Sequence, residues 1–369
     1  MRCCHLPSIV IALATPFVGL GADARLLAQE TPGSKSPVFL VGFLGDSKHL
    51  LTASLDGYDI WDLANGRKLR SFGKPEKPRP IQDRTTALGA LSPDGKAFAV
   101  FENDRPIRIW DTAAGKETRA IAIEQSDRKA PLLAVSMAFS PNGKTLAVRG
   151  QDQVIHVFSV ENGERLRLFG KPIGIKPFRP GFFAYGVPCD DSVAFAPNGK
   201  SLVGVAVEVD QGRQKGFVRW YDAASGELTR DVPIEQPNPF VDVRTGFGIA
   251  CLAFSSDGNA KLAWASSDGT ARLFDAESGK ELRRLPAIQS GVHAAFVFSA
   301  DRRLLAYRAS NDPQVRLIDL GGKSSTAVRQ EELNRANPQP SCRTFAFSPD
   351  NQLLAEGLLG NRPTFWDIR

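Results

Sequence analysis

A chain of 369 residues that is 42% hydrophobic and 23% charged, with a mean hydropathy of −0.19, is neither a disordered polymer nor a multi-span membrane protein. Its 46 Lys and Arg against 40 Asp and Glu give a net charge of +6 without a run of five like charges, too dilute a basic balance for a dedicated nucleic-acid binder. Four His and five Cys leave little material for a metal centre or a His-based catalytic machine, and 33 Gly and 25 Pro against 2 Met predict many turns and few long helices.

In chain order the first feature is Met1–Cys4 with one cation, Arg2, followed by the nearly uncharged stretch Leu6–Leu20 and then Ala22-Asp23-Ala24, an A-x-A cleavage pattern. This is the pattern of a secretory signal peptide over residues 1–24. The apolar run is shorter than the ~20 residues a spanning helix needs, and no later stretch is apolar enough to span. Export permits disulfides. With Cys3 and Cys4 removed, Cys189, Cys251 and Cys342 remain, an odd number, and Cys251 reads as a small core residue of a strand.

From Val38 onward one phrase recurs seven times, an aromatic or Leu anchor followed by Ser-Pro-Asp-Gly or a decayed copy: Phe43, Leu91, Phe139, Phe195, Phe254, Phe298 and Phe347. A second phrase ends each copy on a bulky residue, usually with Asp: Trp61-Asp62, Trp110-Asp111, Phe158-Ser159, Tyr221-Asp222, Phe274-Asp275, Ile318-Asp319 and Trp366-Asp367. The two phrases lie 18–20 residues apart in six copies and 26 apart in the fourth, and anchors recur every 44–59 residues. Pro-Asp-Gly and Pro-Asn-Gly build tight turns, because Pro sets φ, Asp or Asn bonds the local backbone and Gly accepts φ > 0. Around the turns lie short strands of alternating hydrophobicity, such as IRIW and ARLF, then a D-x-x-x-G turn and a fourth strand such as RKLRSF, ERLRLF or KELRRL. Seven copies of four strands predict an all-β, seven-bladed β-propeller over residues 25–369, in which each antiparallel blade buries its faces only against its neighbours.

These phrases resemble the WD40-repeat family, in an exported bacterial-type form, over Val38–Arg369; the TolB-like propeller, which also uses FSPDG, is a weaker resemblance. Trp61-Asp62, Trp110-Asp111 and Trp366-Asp367 carry the resemblance together. The family's Gly-His dipeptide is absent, so the resemblance implies at most part of its buried hydrogen-bond network, kept at Ser54, Asp56, Ser266 and Asp268. The last copy ends three residues after Trp366 and lacks a fourth strand. Residues near Ala24–Gln29 look like that missing strand and are expected to complete the seventh blade.

Resemblance to this family places the turn phrases on one face and the remaining connections on the other, where this sequence is elaborated. The connection Gly170–Asp191 carries Lys171, Lys176, Phe178, Arg179, Phe182, Phe183 and Tyr185. Copy four adds a longer second turn at Glu208–Gly216, and Pro233–Gly248 leads into copy five. Long loops are where function concentrates, and aromatics with Arg are favoured anchors. The seven named residues are therefore the candidate partner-binding set, the alternative being that the aromatics plug the loop onto the rim. A second basic loop, Gly73–Arg84, adds cations that would suit an acidic partner.

No G-x-S-x-G, HExxH or P-loop occurs. His49, His156 and His293 fall at different phases of the repeat, each read as a half-buried strand residue, so no metal site is expected. The expectation is a monomeric, non-catalytic platform in the periplasm or outside the cell, without cofactor, nucleic acid or membrane span, and with a protein partner. The alternative is a propeller that binds or hydrolyses a small molecule or glycan in its central pocket.

Overall fold

Short alternating strands punctuated by turns leave no room for a helix, and the computed structural model contains none among its described residues. Those residues are 25–26, 38–54, 56–73, 87–102, 105–124, 134–150, 152–171, 192–210, 213–234, 249–254, 260–265, 271–284, 294–301, 303–309, 315–320, 325–328, 342–358 and 364–368. The expected signal segment 1–24 lies outside them.

Twenty-eight strands form seven four-stranded antiparallel sheets, a seven-bladed β-propeller. One strand, β1 (Arg25–Leu26), precedes the first blade. Blade 1 holds β2 (Val38–Phe43), β3 (His49–Ser54), β4 (Gly57–Asp62) and β5 (Arg67–Phe72), and blade 2 holds β6 (Ala87–Leu91), β7 (Ala97–Glu102), β8 (Ile107–Asp111) and β9 (Lys116–Ile121). Blade 3 is β10 (Ala134–Phe139), β11 (Thr145–Gly150), β12 (Ile155–Ser159) and β13 (Arg165–Phe169). Blade 4 is β14 (Val193–Phe195), β15 (Ser201–Asp210), β16 (Arg213–Asp222) and β17 (Leu228–Ile234). Blade 5 is β18 (Ile249–Phe254), β19 (Ala260–Ala265), β20 (Ala271–Asp275) and β21 (Glu281–Arg284), and blade 6 is β22 (Ala294–Phe298), β23 (Leu304–Ala309), β24 (Val315–Asp319) and β25 (Ser325–Val328). Blade 7 is β26 (Cys342–Phe347), β27 (Leu353–Leu358) and β28 (Thr364–Asp367), completed by β1.

The first strands contact one another in order around the ring, and β26 contacts β2, so the circle closes. The closing strand is the expected one: Arg25 pairs with Asp367 and Leu26 with Trp366. Within a blade, burial follows radial position. The second strands are almost wholly buried, whereas the fourth strands β5, β9 and β13 are exposed until their last residue. Each apolar cluster spans two blades: Tyr58 and Phe72 of blade 1 pack with Phe98 and Trp110 of blade 2, and Val38 and Trp61 with Ala355 and Phe365 of blade 7. Edge-on ring contacts at 5.0 and 5.5 Å from Tyr58 to Phe98 and Trp110 join blades 1 and 2, each worth ~0.5–1.5 kcal/mol beyond area burial.

The bulky residues that end the seven copies, Trp61, Trp110, Phe158, Tyr221, Phe274, Ile318 and Trp366, are buried, and Trp61 Nε1–H donates to Thr52 Oγ1 at 2.9 Å. Ser54 holds the following turn by donating to the Gly57 carbonyl and accepting from Asp56 N–H. Ser266 and Asp268 lie outside the described residues. Within blade 2 Arg108 Nη2 lies 3.0 Å from Glu102 Oε2, and the same nitrogen crosses to blade 1 by donating to Tyr58 Oη at 3.0 Å. Glu102 is buried, a residue that reading the strands by periodicity missed.

Replacing Thr52 by Val strands the Trp61 indole N–H in a dry interior; chemical denaturation should show a loss of about 1–3 kcal/mol. Removing the chain through Ala28 takes away β1 and opens the β28 edge. The truncated protein is expected to melt earlier and to associate with rising concentration in light scattering; an unchanged melting point and a monomer would contradict closure by this strand.

Candidate functional site

Each blade has two ends. The turns between first and second strands and between third and fourth strands share one end, here the turn face; the turns between second and third strands share the opposite face.

On the turn face a small hydrogen-bonded box is repeated. Ser92 Oγ–H donates to Asp94 Oδ1 (2.7 Å) and accepts from Ala97 N–H (2.8 Å). Ser140 with Asn142, Ser299 with Asp301 and Ser348 with Asp350 repeat it, and each Ser is buried. The fourth turn residue takes a positive φ whatever its identity: 71° at Gly95, 68° at Gly143, and also 54° at Ser47 and 57° at Asn351 where Gly is missing. In the D-x-x-x-G turns the carboxylate replaces missing backbone partners: Asp62 Oδ1 accepts from Ala64 N–H, Asp111 from Ala114, Asp222 from Ala224 and Ser225, and Asp275 from Ser278. Such turn bonds hold the carboxyls of Asp94, Asp222, Asp275 and Asp301 below their usual range. For Asp94 the Ser92 hydroxyl is the main cause, and for Asp222 the Ser225 N–H. At Asp301 burial pushes upward but Ser299 and the Arg303 N–H together outweigh it, and at Asp275 Ser278 does the same.

Adjacent turns are laced in one arc. Ala300 N–H of blade 6 donates to Asn351 Oδ1 of blade 7, and Asp350 N–H donates to Ser47 Oγ of blade 1. A Cβ on Gly95 of blade 2 would lie 2.7 Å from the Gly45 backbone of blade 1. At the matching positions of blades 3 and 4, Gly143 and Gly199, a Cβ would meet nothing within 4 Å. There the turn face is open. A cavity of about 450 Å³ lies at the mouth of the channel, floored by Phe139, Phe195, Phe254 and Phe298. A second, of about 900 Å³, runs between blades 3 and 4 out to Leu166 and Arg167. Pro141, Phe195 and Pro197 line both. Phe195 is half-buried, whereas the anchors Phe43, Phe139, Phe254, Phe298 and Phe347 are buried.

On the opposite face blade 4 departs from the sequence reading. Glu208–Gly216 is not a long turn: β15 and β16 continue as a paired hairpin to Asp210 and Arg213. Alternating residues, VAVEV against QKGFV, favour a ladder over an open loop. Compared with β3, β15 is four residues longer, about 13 Å of overhang at ~3.4 Å per residue. Arg219 braces it, bonded to Glu208 and lying 3.3 Å through Nε from Asp231 Oδ1. Burial lowers the basicity of its guanidinium, but the two carboxylates outweigh that and raise it.

Beside this hairpin, Arg149 is buried, donating to Ser192 Oγ (3.0 Å) and to Gln153 Oε1. His156 is fully buried rather than half-buried, its ring stacked on Phe158 at 6.3 Å and its Nε2 3.9 Å from Asp152 Oδ2. Both faces of β12 are covered, which alternation alone did not reveal. His49 remains partly exposed and bonds Asp46 at 2.5 Å. His293 lies outside the described residues, as do Lys176, Phe178, Arg179, Phe182, Phe183 and Tyr185. Of the candidate partner-binding set, Lys171 is described: exposed, two residues beyond the end of β13. Among the described residues no cluster of His, Cys, Asp and Glu is suited to a metal, and no helix is long and apolar enough to cross a membrane.

The family model "WD domain, G-beta repeat" matches residues 241–275, which include β18 to β20 of blade 5. The chain is 31% identical over 127 residues to "Cross-pathway control WD-repeat protein 2" of Flammulina velutipes and 31% identical over 127 residues to "Small ribosomal subunit protein RACK1" of Neurospora crassa. Each alignment covers 34% of this chain, and the chain spans 38% of the length of each relative.

The depressed carboxyls set the acid behaviour. Their contribution is complete above the unfolded pKa near 4 and is lost as pH falls through the lower folded values. Urea midpoints should therefore fall as the pH is taken below about 4. Ser92→Ala, which removes the main cause at Asp94, should make that drop shallower.

Proposed function

We propose that this chain is an exported, monomeric WD40-type propeller that serves as a non-catalytic protein-interaction platform. The observation that carries the reading is the blade 4 overhang on the face opposite the turns. A closed ring of blades supplies a rigid base, and one hairpin of blade 4 braced by Arg219 stands above it, with exposed Lys171 following β13 of the neighbouring blade 3. A preorganised protrusion on a rigid scaffold binds with little ordering cost. The match to a WD40 repeat in blade 5 and the likeness to WD-repeat proteins over about a third of the chain support the same reading. The N-terminal A-x-A pattern supports export, and the excess of basic residues supports an acidic partner.

The test is affinity capture from envelope and culture fractions with the wild-type chain and with a variant carrying Lys171, Arg179, Phe182 and Tyr185 as Ala. A discrete protein held by the first and lost by the folded variant is the expected result. The N-terminus of the exported bait, read by mass spectrometry, is expected at Arg25. Equal capture by both baits would remove the loop from the interface. Capture of nothing, with binding of a small molecule or glycan instead, would replace the platform reading.

A further inference from the structure

The opened turn face between blades 3 and 4 carries a second, chemically distinct surface. The turn carboxylate present in five copies of the repeat, at Asp46, Asp94, Asp257, Asp301 and Asp350, is Asn142 in blade 3 and Asn198 in blade 4. The turns lose nothing by the exchange. Asn142 Oδ1 accepts from Lys144 N–H at 3.0 Å and Asn198 Oδ1 from Lys200 N–H at 2.9 Å, as Asp94 Oδ1 does from Lys96 N–H at 3.1 Å. The charge balance does change. In blade 2, Lys96 Nζ lies 3.7 Å from Asp94 Oδ2. Lys144 and Lys200 have no carboxylate at the matching place, and both are exposed.

Among the described turns these two blades are also the ones whose turn glycines face open space, and their mutual boundary holds the cavity of about 900 Å³. Asn142, Asn198 and Lys200 line it, with Arg167 at its outer end. Its one carboxylate, Asp222, accepts from Ala224 and Ser225 and lies within the field of Arg167, which leaves Lys200 as the groove's cation without a carboxylate beside it among the described residues. The floor is apolar: Val157, half-buried Phe195, Pro141 and Pro197, with Leu166 47% exposed at the rim. An apolar floor bounded by cations matches a ligand that carries both an apolar group and negative charge.

We infer that the groove between blades 3 and 4 on the turn face binds an extended acidic segment of a partner protein. Its apolar side chain enters beside Phe195, Pro141 and Pro197, and its carboxylates face Lys200 and Arg167, with Lys144 on the flanking turn. Sulfated glycans share the charge but lack an apolar group for that floor, and a nucleic acid offers aromatic bases but no aliphatic side chain to seat against the two prolines and Val157. The inference deepens the platform reading and rests on it, but it uses the face opposite to the one with Lys171.

The experiment is selection of a phage-displayed library of random 12-residue peptides on the full chain, followed by anisotropy titration of the selected peptides, fluorescein-labelled. The variants are Asn142→Asp with Asn198→Asp, and separately Lys200→Glu. The first restores the residue that builds this turn elsewhere in the ring, so its fold is kept; the second changes an exposed side chain and reports independently. Selected peptides should pair at least one Leu, Phe or Trp with neighbouring Asp or Glu. Both variants should weaken them by roughly ten-fold or more, and added salt should weaken the wild-type complex. The Lys171→Ala chain should bind them as wild type does. Peptides without acidic residues, affinities unchanged in both variants, no enrichment, or a heparin oligosaccharide or DNA oligonucleotide competing at the groove more tightly than any peptide would each overturn the inference. Loss of the captured protein on changing the opposite face, with no effect of the groove variants, would overturn the groove alone and leave the platform standing.

Discussion

A four-stranded blade with two apolar faces cannot satisfy both by itself, and this constraint governs the whole molecule. Each buried cluster draws side chains from two neighbouring blades. The cheapest way to leave no face exposed is to close the ring. Closure is made by two strands far apart in sequence, β1 and β28, whose pairing at Arg25–Asp367 and Leu26–Trp366 joins the ends of the described chain. The Arg108–Tyr58 hydrogen bond, the Tyr58–Trp110 ring contact and the packing of Trp61 on blade 7 then act as links between blades whose positions the closed ring already dictates.

Closure also explains why variation is concentrated at the two ends of the blades. The sides of a blade are committed to packing, so an inserted residue is tolerated only beyond the strands. Blade 4 uses that freedom on one face, extending β15 and β16 into an overhang held by Arg219. On the other face, blades 6, 7, 1 and 2 are fastened turn to turn, through Asn351, Ser47 and the close approach of Gly95 to Gly45. Blades 3 and 4 lack that fastening among the described residues, and the space left behind is the groove. The two faces of the same sector thus differ in shape, one carrying a protrusion and the other a cleft.

The turn carboxylates show how one residue type serves fold and surface together. Asp94 and Asp222 are turn-forming acceptors, and their hydrogen bonds keep them ionised. Asn142 does the same structural work without charge. A change of one atom therefore alters the potential of the face while the backbone is untouched, and this is how a repeat protein tunes recognition within a fixed scaffold.

Much of the fold was legible in the chain alone, because its determinants are local. Seven turn phrases, seven bulky strand endings and period-two alternation specify strands, turns and their number, and the missing fourth strand after Trp366 pointed to residues near Ala24–Gln29. What local pattern could not supply was decided between blades. The length of Glu208–Gly216 was visible, but its pairing as a hairpin depends on β16 meeting β15 in register. His156 alternates like an exposed-face residue, yet both faces of β12 are covered. The groove is invisible in sequence because Gly143 and Gly199 look like Gly95; only the neighbour that each turn meets, or fails to meet, separates them. The sequence by itself determined the repeating unit and its count, since these follow from backbone preference and hydrophobic alternation. The tertiary structure alone decided which surfaces stay open, since that depends on contacts between units distant in the chain.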